Sequence, residues 1–336
     1  MKSLSLLAAV LAGSASVAAM AETLAEQNAA LFAQLEEVHG LTAQQRADLE
    51  AIFARGRFIG QGNSAVTRHP VTAEECRERL ASSGVTYENP RFTAICGERY
   101  MAPLYDPAFQ TPEDATACID QFEFPDVPCA FPVVWVRASE AAQICAALGK
   151  RLCDAHEWEG ACAGALTEPD YRFDLAAGAA AGAAVSRMRA AHNGRHAANK
   201  TWSYGPQYEA GVCAAAGAKT DGCDGGGWRA CGSNTYPAGS FPGCKSALGV
   251  YDLHGNAAEH MNLPLAPEQM ASGGSTAFGV TEMKGSWFIF DRYRAHEDWC
   301  RWRAPFWHGS RVMDPASHHN YHLGFRCCKN IASVGD

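Results

Sequence analysis

Among its fourteen cysteines this chain has no C-x-x-C pair, so the thiolate spacing of a zinc ribbon or finger is missing. Basic charge is scarce. Lys and Arg number 28 against 36 Asp and Glu, a formal net charge of −8, and phosphate binding needs clustered cations, so nucleic acid is excluded as the expected partner. Beyond residue 21 no apolar run approaches the length of a membrane helix. The sequence also lacks G-x-S-x-G, H-E-x-x-H, a Walker loop and a dinucleotide fingerprint, which removes the common hydrolase, zincin and nucleotide-binding readings.

What is present begins with an export signal. Lys2 supplies a charged start, residues 4–17 an apolar stretch, and Ala19-Met20-Ala21 an A-x-A cleavage site. Residues 1–21 are therefore expected to be a signal peptide and the mature protein periplasmic or secreted. Fourteen cysteines in an exported chain imply disulfides, either seven bridges or six and a working thiol pair. Roughly 315 of the 336 residues remain after cleavage, enough for one large domain or two smaller ones.

Residues 22–56 read as a helical hairpin. Leu24, Leu31, Leu35 and Val38 recur at helical spacing, Gly40 suits a C-terminal cap, and Thr42 with Gln45 makes a capping box ahead of Leu49, Ile52 and Phe53. Thr72 with Glu75 opens a helix over about 73–82, and residues 118–123 and 132–136 read as short strands. Ser139 starts a helix that Gly149 stops, while Asp154 and Glu157 bracket the start of another containing Trp158 and Cys162. The alanine-glycine run over 175–185 reads as a surface loop or frayed helix. Residues 201–250 are rich in turn formers, and a loop of that length is plausible in a compact domain only if Cys213, Cys223, Cys231 and Cys244 staple it.

Three phrases carry the most information: Lys150-Arg-Leu-Cys-Asp-Ala-His-Glu-Trp-Glu-Gly-Ala-Cys162, Gly249-Val-Tyr-Asp-Leu-His-Gly-Asn-Ala-Ala-Glu259, and Leu323-Gly-Phe-Arg-Cys327. In this order the chain resembles the formylglycine-generating enzyme (sulfatase-modifying factor) family. The resemblance implies a domain over 57–330 of α+β class that opens with a strand at 57–62, a variant of the C-type-lectin fold with low regular secondary structure and many disulfides. It also implies calcium held by Asn256, the carbonyl of Ala257, and Glu259, oxygen donors of the kind calcium takes. The bland alternative is a glycine turn with a capping Asn and a solvated Glu. Finally, it implies a disulfide between Cys162 and Cys327.

The family's catalysis uses two cysteines that hold copper. Gly285-Ser-Trp287 and Arg301-Trp-Arg303 match the flanks of that site, but Ile289 and Trp299 fall at the cysteine positions and Cys300 comes one residue late. Cys300 is then either a disulfide partner or a lone catalytic thiol. Histidines crowd the same stretch. If 318–322 is a strand, His318 and His322 share a face, and with His296 or His308 they form a candidate copper or iron site. Trp299, Arg301, Trp302, Arg303 and Trp307 form a candidate recognition cleft, the alternative being core packing. Two functions follow: a metal-dependent oxidase acting on a peptide or peptide-like substrate, or a non-catalytic binding module. Neither implies an oligomeric state.

Overall fold

The computed structural model describes residues 22–224, 226–306 and 310–331. The expected signal peptide at 1–21 lies outside the described residues, as do Trp307 and His308. The hairpin is α1 (Leu24–His39) and α2 (Ala43–Arg55), each opened by a reciprocal capping box, Thr23 with Glu26 and Thr42 with Gln45. Gly40 turns the chain between them in the left-handed region, at φ 66°. The inner faces of the pair (Leu31, Phe32, Leu35, Leu49, Ile52 and Phe53) share a single core with Phe124, Val136, Ile144 and Phe325. Each such side chain contributes roughly 1.5–3 kcal/mol of gross burial energy, so the hairpin is packed on the body rather than held away from it.

The remaining helices are α3 (Ala73–Ser83), α4 (Pro90–Cys96), α5 (Ala138–Ala147), α6 (Ala155–Ala163), α7 (Phe173–Ala176) and α8 (Ala181–His196). The alanine-glycine run thus leads into a regular sixteen-residue helix, which buries Ala184, Val185, Met188 and His192. Two small sheets complete the regular structure. In one, β1 (Met101–Leu104), β2 (Ala117–Asp120), β7 (Cys327–Asn330) and β3 (Arg151–Leu152) lie in that order, all antiparallel. In the other, β4 (Ala258–Leu263) is flanked by β5 (Val280–Lys284), antiparallel, and β6 (Leu323–Phe325), parallel. The expected strands at 57–62 and 132–136 reduce to a single bridge, Gly60 with Val134. Residues 318–322 form no strand, so the shared face expected of His318 and His322 does not exist. The class is α+β with long ordered loops, as expected. Among the described residues no helix is long and apolar enough to cross a membrane.

All fourteen cysteines are paired: 76–129, 96–118, 145–327, 153–328, 162–300, 213–244 and 223–231. The last two staple the 201–250 loop, whose described residues form neither helix nor strand. The expected bond between Cys162 and Cys327 is corrected by this map. Cys327 and Cys328 are consecutive on β7, so their side chains leave opposite faces of the sheet. Cys327 belongs to the core beneath α5 and meets Cys145 there, whereas Cys328 joins the Trp158 core and meets Cys153. Cys162, at the end of α6, is left to Cys300.

Candidate ligand and metal sites

The three sequence phrases meet at one carboxylate. Glu259 on β4 accepts Trp158 Nε1–H at 3.2 Å and both Nε–H and Nη2–H of Arg326 at 2.7 Å. Arg326 lies at the junction of β6 and β7 and is fully buried. Its remaining N–H groups reach the carbonyls of Asp120, Gln121 and Tyr251 at 3.1 Å, so all five donors are used. The turn before β4 needs its residue types. Gly255 has φ +76°, and a Cβ there would stand 2.5 Å from the Ala214 carbonyl oxygen. Asn256 follows, also left-handed, at φ 52°.

This geometry does not fit the calcium expected at Asn256, Ala257 and Glu259. The Asn256 side-chain oxygen accepts Tyr236 N–H at 2.8 Å, and both Glu259 oxygens accept from the Arg326 guanidinium, which already neutralises the carboxylate. Burial pushes the Glu259 carboxyl up while Arg326 opposes the shift. Nearby, burial raises Asp252 to about 7, and burial with the charges of Asp252 and Glu259 raises Glu123 well above the ordinary range.

The stretch that matches the family's catalytic flanks is closed to thiol chemistry. Ile289 and Trp299 are both buried, and Cys300 is bonded to Cys162. The Cys162–Cys300 pair sits against His254, whose Nε2 lies 3.3 Å from the Cys162 sulfur and accepts Ser203 N–H at 3.1 Å. Cys300 as a catalytic thiol is therefore corrected.

The expected recognition residues divide. Arg303 is 1 % exposed, and its guanidinium bonds Glu159 and Asp170. Trp299, 3 % exposed, belongs to the interior. Arg301 and Trp302 are half-buried. Trp302 stacks on His296 with ring centroids 5.1 Å apart, and Trp287 stacks on His322 at 4.3 Å. His296 and His322 thus flank Trp287, whereas exposed His318 bonds Asn320. The nitrogens of His296, His318 and His322 do not converge as a metal site among the described residues.

Two groups do converge: Cys162 with His254 and Cys300, already closed as a disulfide, and Asp170 with His192 and His196. The second was missed in the sequence, although His192-x-x-x-His196 at helical spacing is a legible signal. It borders a buried ionic cluster. Burial alone would raise Glu159, but Arg303 and Lys284 hold it well below the ordinary carboxylate range. Asp170 is likewise held down, against burial, by His192 and Arg303.

A separate open groove of about 670 Å³ runs between residues 65–70 and 216–221. Arg68, Lys219 and Arg292 line it together with Asp221, all exposed. Its wall is tied to the 287–292 stretch by Gly217 N–H donating to Phe288 O at 2.6 Å.

Residues 63–331 match the family model of the sulfatase-modifying factor enzyme 1-like domain. The chain belongs to this family. No curated protein matches the sequence. Solved structures similar to this sulfatase-modifying factor family member include PvdO from Pseudomonas aeruginosa, at 19 % identity over 81 % of this chain and 80 % of that one, with a TM-score of 0.30. CarF is another, at 14 % identity over 82 % and 93 %, also with a TM-score of 0.30. Within the family domain, then, motif residues Trp158, Glu259 and Arg326 act as internal fasteners, and no thiol remains beside the 285–303 stretch.

Proposed function

We propose that the protein is an exported, non-catalytic binding module of the sulfatase-modifying factor family, with a peptide or peptide-like ligand. The observation that carries this reading is the bond between Cys162 and Cys300, with Ile289 and Trp299 at the family's thiol positions. Copper(I) prefers soft thiolate ligands, and here every cysteine is spent on cross-links. Seven disulfides also support an oxidising compartment outside the cytosol.

The basic groove supports an acidic ligand. Three exposed cations and one exposed carboxylate, Asp221, line it, leaving it net positive in a chain whose overall charge is negative. The oxidised protein, denatured and titrated with a thiol reagent, is expected to yield no free thiol. An acidic peptide is expected to bind with an affinity that falls as salt rises, and Arg292→Glu should weaken it by about 10-fold through like-charge opposition, measured by fluorescence polarisation. The alternative, a metal-dependent oxidase, would replace this reading if oxygen were consumed stoichiometrically with a peptide in the presence of copper or iron.

A further inference from the structure

We infer that Asp170, His192 and His196 form a binding site for one divalent first-row transition-metal ion. This goes beyond the binding-module reading and does not depend on it. His192 and His196 stand one turn apart on α8, and Asp170 comes from the loop ahead of α7. The Asp170 carboxylate already spans both rings, with Oδ1 at 2.7 Å from His192 Nδ1 and Oδ2 at 3.1 Å from His196 Nε2. Two donors of a tetrahedral ion with bonds of about 2.0–2.1 Å lie roughly 3.3 Å apart, so the atoms need only small shifts to admit a metal.

The ring orientation is set from outside the site. His192 Nε2 lies 2.8 Å from the Arg301 carbonyl oxygen, which can only accept, so that nitrogen donates; Nδ1 donates to the Asp170 carboxylate in the metal-free protein and would release that proton to ligate the ion. A backbone carbonyl bonding the far nitrogen of a ligating imidazole is the usual outer support of a metal histidine. Burial is graded as a site with an entrance requires. The His192 side chain is 0 % exposed, while Asp170 and His196 are 17 % and 23 % exposed. The ion would keep its open positions toward that side.

Cations stand close by. Arg303 Nη2 is 3.2 Å from Asp170, and Arg195 is 3.8 Å away. Arg303 is also paired with Glu159 through Nε at 3.0 Å, so its charge is shared with a second carboxylate. Two imidazoles with one carboxylate suit zinc, iron(II), cobalt(II) or nickel(II) rather than calcium or magnesium, which take oxygen ligands.

The test uses the mature full-length protein, stripped with a chelator and dialysed, with Zn(II) followed by calorimetry and Co(II) by its visible absorption. One equivalent should bind. His196→Gln, at the solvent edge, should weaken binding more than about 10-fold, as should Asp170→Asn, while the exposed control His318→Ala should match the parent. Thermal melts of each variant without metal separate lost binding from lost folding, and His196→Gln decides if Asp170→Asn proves unstable. No saturable binding by the parent, equal affinity in His196→Gln, or equal loss in His318→Ala would each overturn the assignment.

Discussion

Glu282 on β5 carries a charge problem that its neighbours only partly solve. It is fully buried, accepts Ala304 N–H at 2.7 Å, and has Lys284 Nζ at 3.7 Å. Burial raises its carboxyl from 4.5 to about 7, against the pull of Lys284. A raised acid pKa means that the folded state holds a proton the unfolded state has released. Its contribution is therefore complete below about 4.5 and is lost as pH climbs through about 7. Glu282→Gln keeps an oxygen for Ala304 and removes the titration. Between pH 4.5 and 7.5 the parent should lose on the order of 2–3 kcal/mol relative to this variant, read from urea midpoints at each pH. Arg326 shows a different limit on sequence reading. Its place in Leu323-Gly-Phe-Arg-Cys327 marked a family motif, but it engages both oxygens of Glu259, an expected calcium ligand, and nothing local to either residue announced that pairing.

The helices that formed where expected are those whose start and stop signals lie within a few residues of one another. Thr42 and Gln45 satisfy each other's backbone donors, as do Thr72 and Glu75, and Gly84 ends α3 in the left-handed region. Thr42→Ala should cost about 1 kcal/mol in a urea melt, because the Gln45 N–H loses its acceptor at an exposed helix end. Where such signals are weak, sequence reading loosened. α8 begins at Ala180 with no side-chain cap, and its apolar positions are small, so the run read as loop or frayed helix. Its helicity comes from burying Val185 and Met188 against Tyr171 and Leu263. That fold places His192 and His196 on one side, which the alanine-rich composition obscured.

Taken as one body, the protein relies on covalent closure more than on extended sheets. Cys145 and Cys327 are 182 residues apart, and in the chain-entropy picture that closure restricts the unfolded state by about 5 kcal/mol. Replacing both with alanine should lower the urea midpoint sharply, and should do so more than removing Cys223 with Cys231, which closes only 8 residues. The amino acid order alone determined the turn chemistry, the helix caps, the stapled loop, the abundance of disulfides and the family, because each is written in neighbouring residues or in composition. Tertiary structure alone decided which sulfurs meet, that the Arg326 guanidinium pairs with Glu259, that Arg303 and Trp299 are interior, and that Asp170 faces two histidines. Those outcomes depend on strand register and on which face a side chain leaves. A shift of one residue along β7 would carry Cys328 into the place where Cys327 meets Cys145 and move Cys327 away from both partners, and only the packed sheet sets that register.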